Sequence, residues 1–351
     1  MKAWHSVAVI VGVVLAFGFS SIEWSRPPVQ SVQEGYRGLG MVETRDLRQY
    51  LANPAIDKLP APIPEASADG PRAGELYQNL KVLNDVSNAE FLRLMTAITA
   101  WVSPQEGCNY CHVPGNLASD DKYTKVVARR MIEMNRDINQ NWKDHVAMTG
   151  VTCYTCHRGN PVPANVWFSN PEADTVAGQN HPSAVTGFTS LPMDPYSTFL
   201  ATSDKDAKSI RVVSRTALPE GNRASIKQTE YTYGLMMSIS EALGVNCTYC
   251  HNSRSFFSWD QSSPRRTVAY HGIQMVRDVN MTYLQPLKSV FPANRLGPHG
   301  QVPQLACATC HQGAPKPLMG VSLVKTFPEL QQFPAGNAEE DASETPDEAT
   351  P

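Results

Sequence analysis

The chain has 351 residues, enough for one large or two small domains. Only 18% are charged, the formal charge is −3, and no basic patch of the kind nucleic acid needs is present, which excludes that partner. Proline is frequent, at 27 residues, so much of the backbone is expected to be irregular.

Residues 3–22 carry no formal charge; Lys2 precedes them and Glu23 and Arg26 follow. Two readings fit. A cleaved signal peptide would have its apolar region at 7–19 and an exit at Ala16-Phe17-Gly18. An uncleaved anchor would keep the whole run, which is long enough to span a bilayer as a helix. The length favours the anchor, over residues 1–24. Residues 25–87, rich in Pro, Ser and small residues over 53–75, are expected to wrap as loops.

The next helix begins with a capping box, Ser87-Asn-Ala-Glu90, with Val86 and Phe91 placed as a hydrophobic staple, and ends by Pro104. Cys108-Asn-Tyr-Cys111-His112 follows. A long helix is predicted over about 122–146, with Val127, Met131, Met134, Ile138 and Trp142 on one face. It leads to Cys153-Tyr-Thr-Cys156-His157. Residues 164–228 read as a connector with one candidate strand at 210–213. An apolar stretch at 233–239 then precedes Cys247-Thr-Tyr-Cys250-His251. A further helix, with Ser263 as N-cap and Pro264 at its first position, should end near Pro286. Cys307-Ala-Thr-Cys310-His311 comes last. The tail after Ala335 has six acids and no base, and is expected to be disordered.

These four motifs use all eight cysteines. Cys-x-x-Cys-His is the spacing of c-type haem attachment, in which both thiols become thioethers and the adjacent His ligates the iron. Zinc or redox-dithiol readings of a lone Cys-x-x-Cys lose force when four copies leave no cysteine over. Four covalently bound haems c are therefore expected, in an oxidising compartment outside the cytoplasm.

Motifs two and four share the extension Cys-x-x-Cys-His-x-Gly-x-Pro-x-Pro. Motifs one and three share a Tyr between the cysteines and an upstream apolar stretch with Met95 or Met236. Before motifs two and four, Met134-Asn-Arg-Asp-Ile-Asn139 matches Met275-Val-Arg-Asp-Val-Asn280. The chain thus reads as a duplicated two-haem unit, with repeats at 88–163 and 229–317 and a C-terminal segment at 318–351. The fold class expected is mainly α with extensive irregular loops and a pseudo-twofold arrangement.

Distal iron ligands decide the chemistry, because a Met or second His gives a six-coordinate electron-transfer site and an open position suggests catalysis. Met95, Met131 and Met236 lie 13, 22 and 11 residues before their motifs. Each could equally fill core, as Met134, Met237 and Met275 are read to do. Aligning the two long helices sets Gly272 opposite Met131, so the fourth site has no thioether there. His145 and His271 both remain candidates for it. Arg129, Arg130, Arg265 and Arg266 could pair with haem propionates or be solvated.

The number, order and spacing of these motifs resemble the tetrahaem cytochrome subunit of the purple-bacterial type photosynthetic reaction centre, over about residues 30–330. The resemblance implies His/Met ligation by His112 with Met95, His157 with Met131 and His251 with Met236. It implies a His/His site from His311 with His145. It further implies a non-enzymatic electron carrier at the periplasmic face of the inner membrane. Electrons would pass from a soluble cytochrome c or high-potential iron–sulfur protein to the photo-oxidised bacteriochlorophyll special pair. The implied partners are the reaction-centre L and M subunits, with light-harvesting antenna as a further neighbour. The haems would lie in the order third, fourth, second and first from the pair. A respiratory electron carrier and a multihaem reductase are the rival classes. The first would favour bis-His sites, and the second would need a haem without a distal ligand.

Overall fold

The computed structural model describes residues 2–21, 29–33, 42–46, 48, 58–169, 181–183, 187–189, 194–203, 205–212 and 226–331. Helix α1 (Lys2–Ser21) covers the apolar N-terminal run. Among the described residues no helix is long and apolar enough to cross a membrane, so the structure lends the expected anchor no support. A hairpin of β1 (Val29–Gln33) and β2 (Val42–Asp46), paired Val29 to Asp46, follows where the sequence suggested only loop.

After the short helix α2 (Ala73–Leu76) comes α3 (Asn88–Val102). Ser87 caps it as predicted: its Oγ accepts from the Glu90 N–H at 3.1 Å, and the Glu90 carboxylate accepts from the Ser87 N–H at 3.0 Å. Leu94, Ala97 and Trp101 form its buried stripe, packed with Leu83, Val86, Phe327 and Leu330. Burying a side chain such as Leu94 stabilises the fold by about 1.5–3 kcal/mol. The helix stops two residues before Pro104, whose ring disfavours helical backbone in the residue preceding it.

The long helix is broken. Helix α4 (Tyr123–Asn141) ends at Trp142, which leaves helical geometry at φ −109° and ψ 34°, and α5 (Lys143–Val146) restarts at once. The break redirects His145 out of the line of α4. Helix α6 (Cys153–His157) is the second attachment motif itself.

Strands β3 (His181–Ser183) and β4 (Gly187–Thr189) pair in the connector, and α7 (Ser197–Leu200) buries Phe199 and Leu200 completely. The candidate strand is absent over 210–212, and Val213 lies outside the described residues. The same holds for the acidic tail, since description ends at Gln331.

Helix α8 (Ile226–Leu243) packs Leu235 and Ile239 against Ile273, Val276 and Val279. Ile138 of α4 joins that second cluster, so the first long helix contributes to both halves. Helix α9 (Arg265–Asp278) has Pro264, not Ser263, as its N-cap, one residue later than predicted. Beyond Asp278 it widens into a π-helical turn over Val279–Leu284 and tightens into a 3-10 turn over Gln285–Ser289. Helix α10 (Cys307–His311) is the fourth motif.

Motifs two and four share one shape: a five-residue helix followed by a left-handed residue, Arg158 at φ 48° or Gln312 at φ 50°. Motifs one and three instead form 3-10 turns, over Gly107–Tyr110 and Cys247–Tyr249. The Gly159 N–H donates to the Trp101 carbonyl at 2.7 Å, and the Gly313 N–H to the Ala242 carbonyl at 2.8 Å.

Candidate functional site

A largely apolar cavity of about 1550 Å³ lies between the helices and the attachment motifs. That exceeds the roughly 300–1,000 Å³ usual for one small ligand, so it has room for more than one large flat group. Met95, Cys108, Cys111 and His112 line it at site one. Met131, Cys153, Cys156 and His157 line it at site two, and His145, Cys307, Cys310 and His311 at site four. At site three Cys250 and Tyr249 reach it, whereas Cys247, His251 and Met236 are not among its walls. Met236 packs instead beside the core of Leu235 and Ile239. The decoys Met134 and Met275 also line the cavity, so lining alone does not single out the ligands.

The histidines carry a shared second feature. The Nδ1 of His112 lies 3.1 Å from the Leu117 carbonyl, and that of His251 lies 2.7 Å from the Phe256 carbonyl. For His157 and His311 the partners are the Asn160 and Ala314 carbonyls, both at 2.9 Å. A carbonyl only accepts, so Nδ1 carries the proton and Nε2 keeps its lone pair for a metal. His145 has the same arrangement, with Nδ1 2.9 Å from the Val268 carbonyl. Burial lowers the pKa of His157, His251 and His145, and brings His311 down to about 4, so each imidazole is neutral and able to ligate at neutral pH.

The rings of His145 and His311 lie with centroids 6.1 Å apart and planes inclined at 62°. Two imidazoles bound through Nε2 to opposite sides of one metal, with metal–nitrogen bonds of about 2 Å, have ring centres roughly 6 Å apart. Gly272 makes the approach possible, since a Cβ there would lie 2.5 Å from Cε1 and 2.7 Å from Nδ1 of His145. The other candidate, His271, has its ring against Tyr270.

The thiols do not suit the rival chemistries. Burial pushes Cys153 up to about 12 and Cys250 and Cys307 up to about 11, opposite to the lowered values of redox dithiols. Among the described residues no three His, Cys, Asp or Glu side chains gather as a metal-holding group. Two cysteines of different motifs come together. The sulfurs of Cys156 and Cys310 lie against each other, with Cα atoms 4.6 Å apart, and the other six cysteines are free. A sulfur in a disulfide cannot also form a thioether, so the two uses exclude each other. The cause is the back-to-back packing of motifs two and four. Arg158 donates to the Cys310 carbonyl at 3.2 Å, and Gln312 donates to the Cys156 carbonyl at 3.4 Å.

The arginines are not simply solvated. Arg129 pairs with Asp120 at 2.9 Å, and Arg130 pairs with Glu133 at 2.8 Å and stacks on Tyr283. Arg265 and Arg266 lie over Tyr249 and Trp259.

Cysteine pairs beside tautomer-fixed histidines around an apolar cavity define a c-type cytochrome. Comparison with known proteins gives the particular family. Residues 25–331 match the family model described as photosynthetic reaction centre cytochrome C subunit. A relative of that name from Rubrivivax gelatinosus is 52% identical over 321 residues, covering 89% of this chain and 86% of the relative. Those from Thermochromatium tepidum and Roseobacter denitrificans are 49% and 41% identical, each over 92% of this chain and 79% and 92% of the relative. The chain belongs to the photosynthetic reaction-centre cytochrome c subunit family.

Proposed function

We propose that this chain, an electron-transfer subunit of a photosynthetic reaction centre, carries four haems c, one on each Cys-x-x-Cys-His motif. The observation that carries the proposal is the set of five imidazoles locked through Nδ1, four of them in the motifs and the fifth, His145, beside His311. When bound, each haem iron supplies a one-electron couple. The chain's own residues hold and tune it. Cys108 and Cys111, Cys153 and Cys156, Cys247 and Cys250, and Cys307 and Cys310 fix the four groups covalently. His112, His157, His251 and His311 would each supply one iron ligand. Met95, Met131 and Met236 would supply the second ligand at the first three sites, and His145 at the fourth. Thioether ligation raises a site's potential relative to a second imidazole, so the fourth site is the low one.

The matched shapes of motifs two and four, and of one and three, support a duplicated unit with repeats at 88–163 and 229–317 about a pseudo-twofold axis. Membership of the family puts the chain at the photosynthetic membrane, and thioether attachment favours its outer, periplasmic face. The partners proposed are the L and M subunits with their bacteriochlorophyll pair, a soluble cytochrome c or high-potential iron–sulfur protein as donor, and neighbouring antenna. Haem stoichiometry with peptide mass spectrometry tests the proposal. Four haems on eight thioethers are expected, and a peptide pair linked through Cys156 and Cys310 in the purified protein would contradict it.

A further inference from the structure

The sequence match Met-x-Arg-Asp-x-Asn recurs before motifs two and four, ending at Asn139 and Asn280. In the structure the two asparagines do the same thing. Asn139 on α4 is buried. Its Oδ1 accepts from the Val151 N–H at 2.7 Å, and its Nδ2 donates to the Val151 carbonyl at 2.9 Å. A further contact from Nδ2 reaches the Leu330 carbonyl at 2.8 Å. Asn280, fully buried, accepts from the Leu305 N–H at 2.8 Å and donates to the Leu305 carbonyl at 3.0 Å and the Leu200 carbonyl at 2.9 Å. Val151 and Leu305 each stand two residues before the first cysteine of their motif.

Each side chain therefore grips both polar groups of one backbone residue, as a strand neighbour would. A third contact ties the grip to a distant segment. The space is made for it at motif two: Gly150, at φ +59°, would with a Cβ meet Asn139 Oδ1 at 2.9 Å and Val324 Cγ1 at 2.5 Å. The helices that carry the clamps also carry the positions facing the distal side. Met131 lies eight residues before Asn139, about 12 Å along α4, and Gly272 lies eight before Asn280. The clamp links the proximal motif to the helix that sets the opposite wall.

We propose that Asn139 and Asn280 are positioning residues that fix the gap between proximal and distal ligands, Asn139 at the second haem site and Asn280 at the fourth. This rests on the haem reading above. They touch neither iron nor haem in this account; they act through Val151 and Leu305. A filler of the core would need no such bidentate grip, and Ile138, beside Asn139, is an ordinary core residue of the second cluster.

The test uses the full chain, matured with its haems, as wild type, Asn139→Ala, Asn139→Asp and Asn280→Ala. Attachment at each motif is read by peptide mass spectrometry. Distal ligation is read from the ferric thioether charge-transfer band and from the low-spin resonance signals, and potentials by redox titration. Asn139→Ala is expected to remove one His/Met signature and lower one potential while the other three haems keep theirs. Asn280→Ala is expected to disturb the His/His signature alone. Asn139→Asp keeps the accepted bond but sets an acceptor oxygen against the Val151 and Leu330 carbonyls, so a change at the same single haem no smaller than that of Asn139→Ala is expected. Unchanged signatures and potentials with only a lowered Tm would overturn the proposal, as would failure of both Asn139 variants to retain any haem. A wild-type chain lacking haem on motif two would instead overturn the haem reading, not the clamp.

Discussion

Replacing Gly272 with alanine sets two effects of opposite sign against each other. In an ordinary helix interior Gly→Ala stabilises by about 1 kcal/mol. Here the new Cβ falls 2.5, 2.7 and 3.1 Å from three atoms of the His145 ring. Backbone on α9 holds the Cβ in place, so the ring must move. Overpacking of this kind costs about 1–3 kcal/mol. The bond from His145 Nδ1 to the Val268 carbonyl is lost as well, at about 1 kcal/mol. Subtracting the helix gain leaves a net loss of about 1–3 kcal/mol. The local consequence is larger than the global one, since His145 no longer lies beside His311. Magnetic resonance of the oxidised protein should show one haem losing its bis-imidazole signal, with a modest fall in Tm. A raised Tm with that signal intact would refute the reasoning.

Met95→His should lower the potential of the first haem alone, and a redox titration unchanged from wild type would remove Met95 from its proposed role. His145→Ala should disturb the haem on His311 and leave that on His157 untouched, as resolved spectra of the two would show. Asp120 accepts from Arg129, Asn79 and Lys125, and the Arg129 bond most of all holds its carboxyl well below the usual carboxylate range. A depressed folded pKa gives stability that is complete above the unfolded value of about 3.9 and fades as pH falls below it. Asp120→Asn should therefore cost about 1 kcal/mol at pH 7, because Asp120 is partly open to solvent, and the gap in Tm from wild type should close in acid. The mass of the mature chain distinguishes a cleaved leader from a retained N-terminal helix.

What could be read from sequence was local. The attachment motifs, the capping box at Ser87 and the end before Pro104 all depend on residues within a few positions of each other. The site-four geometry was not local. Glycine opposite Met131 signalled a missing thioether, yet His145 and His271 stayed equal candidates on the residues alone. What favours His145 is tertiary: it follows the break at Trp142, and the carbonyl of Val268 holds its ring. The π-helical turn at Val279–Leu284 has no periodic signature and was read as plain helix. Phe199 and Leu200 looked like part of a structureless connector, because two apolar residues make no pattern until a second cluster buries them. The Asn139 and Asn280 match was visible, but its use depends on partners brought together only by folding.

The central claim is that this chain reduces the photo-oxidised pigment of a reaction centre. Flash spectroscopy on membranes containing it, poised with all haems reduced, tests that most directly. The account predicts bleaching of a haem α-band at the rate at which the oxidised bacteriochlorophyll pair recovers. Recovery of the pair with every haem of this chain still reduced would contradict it.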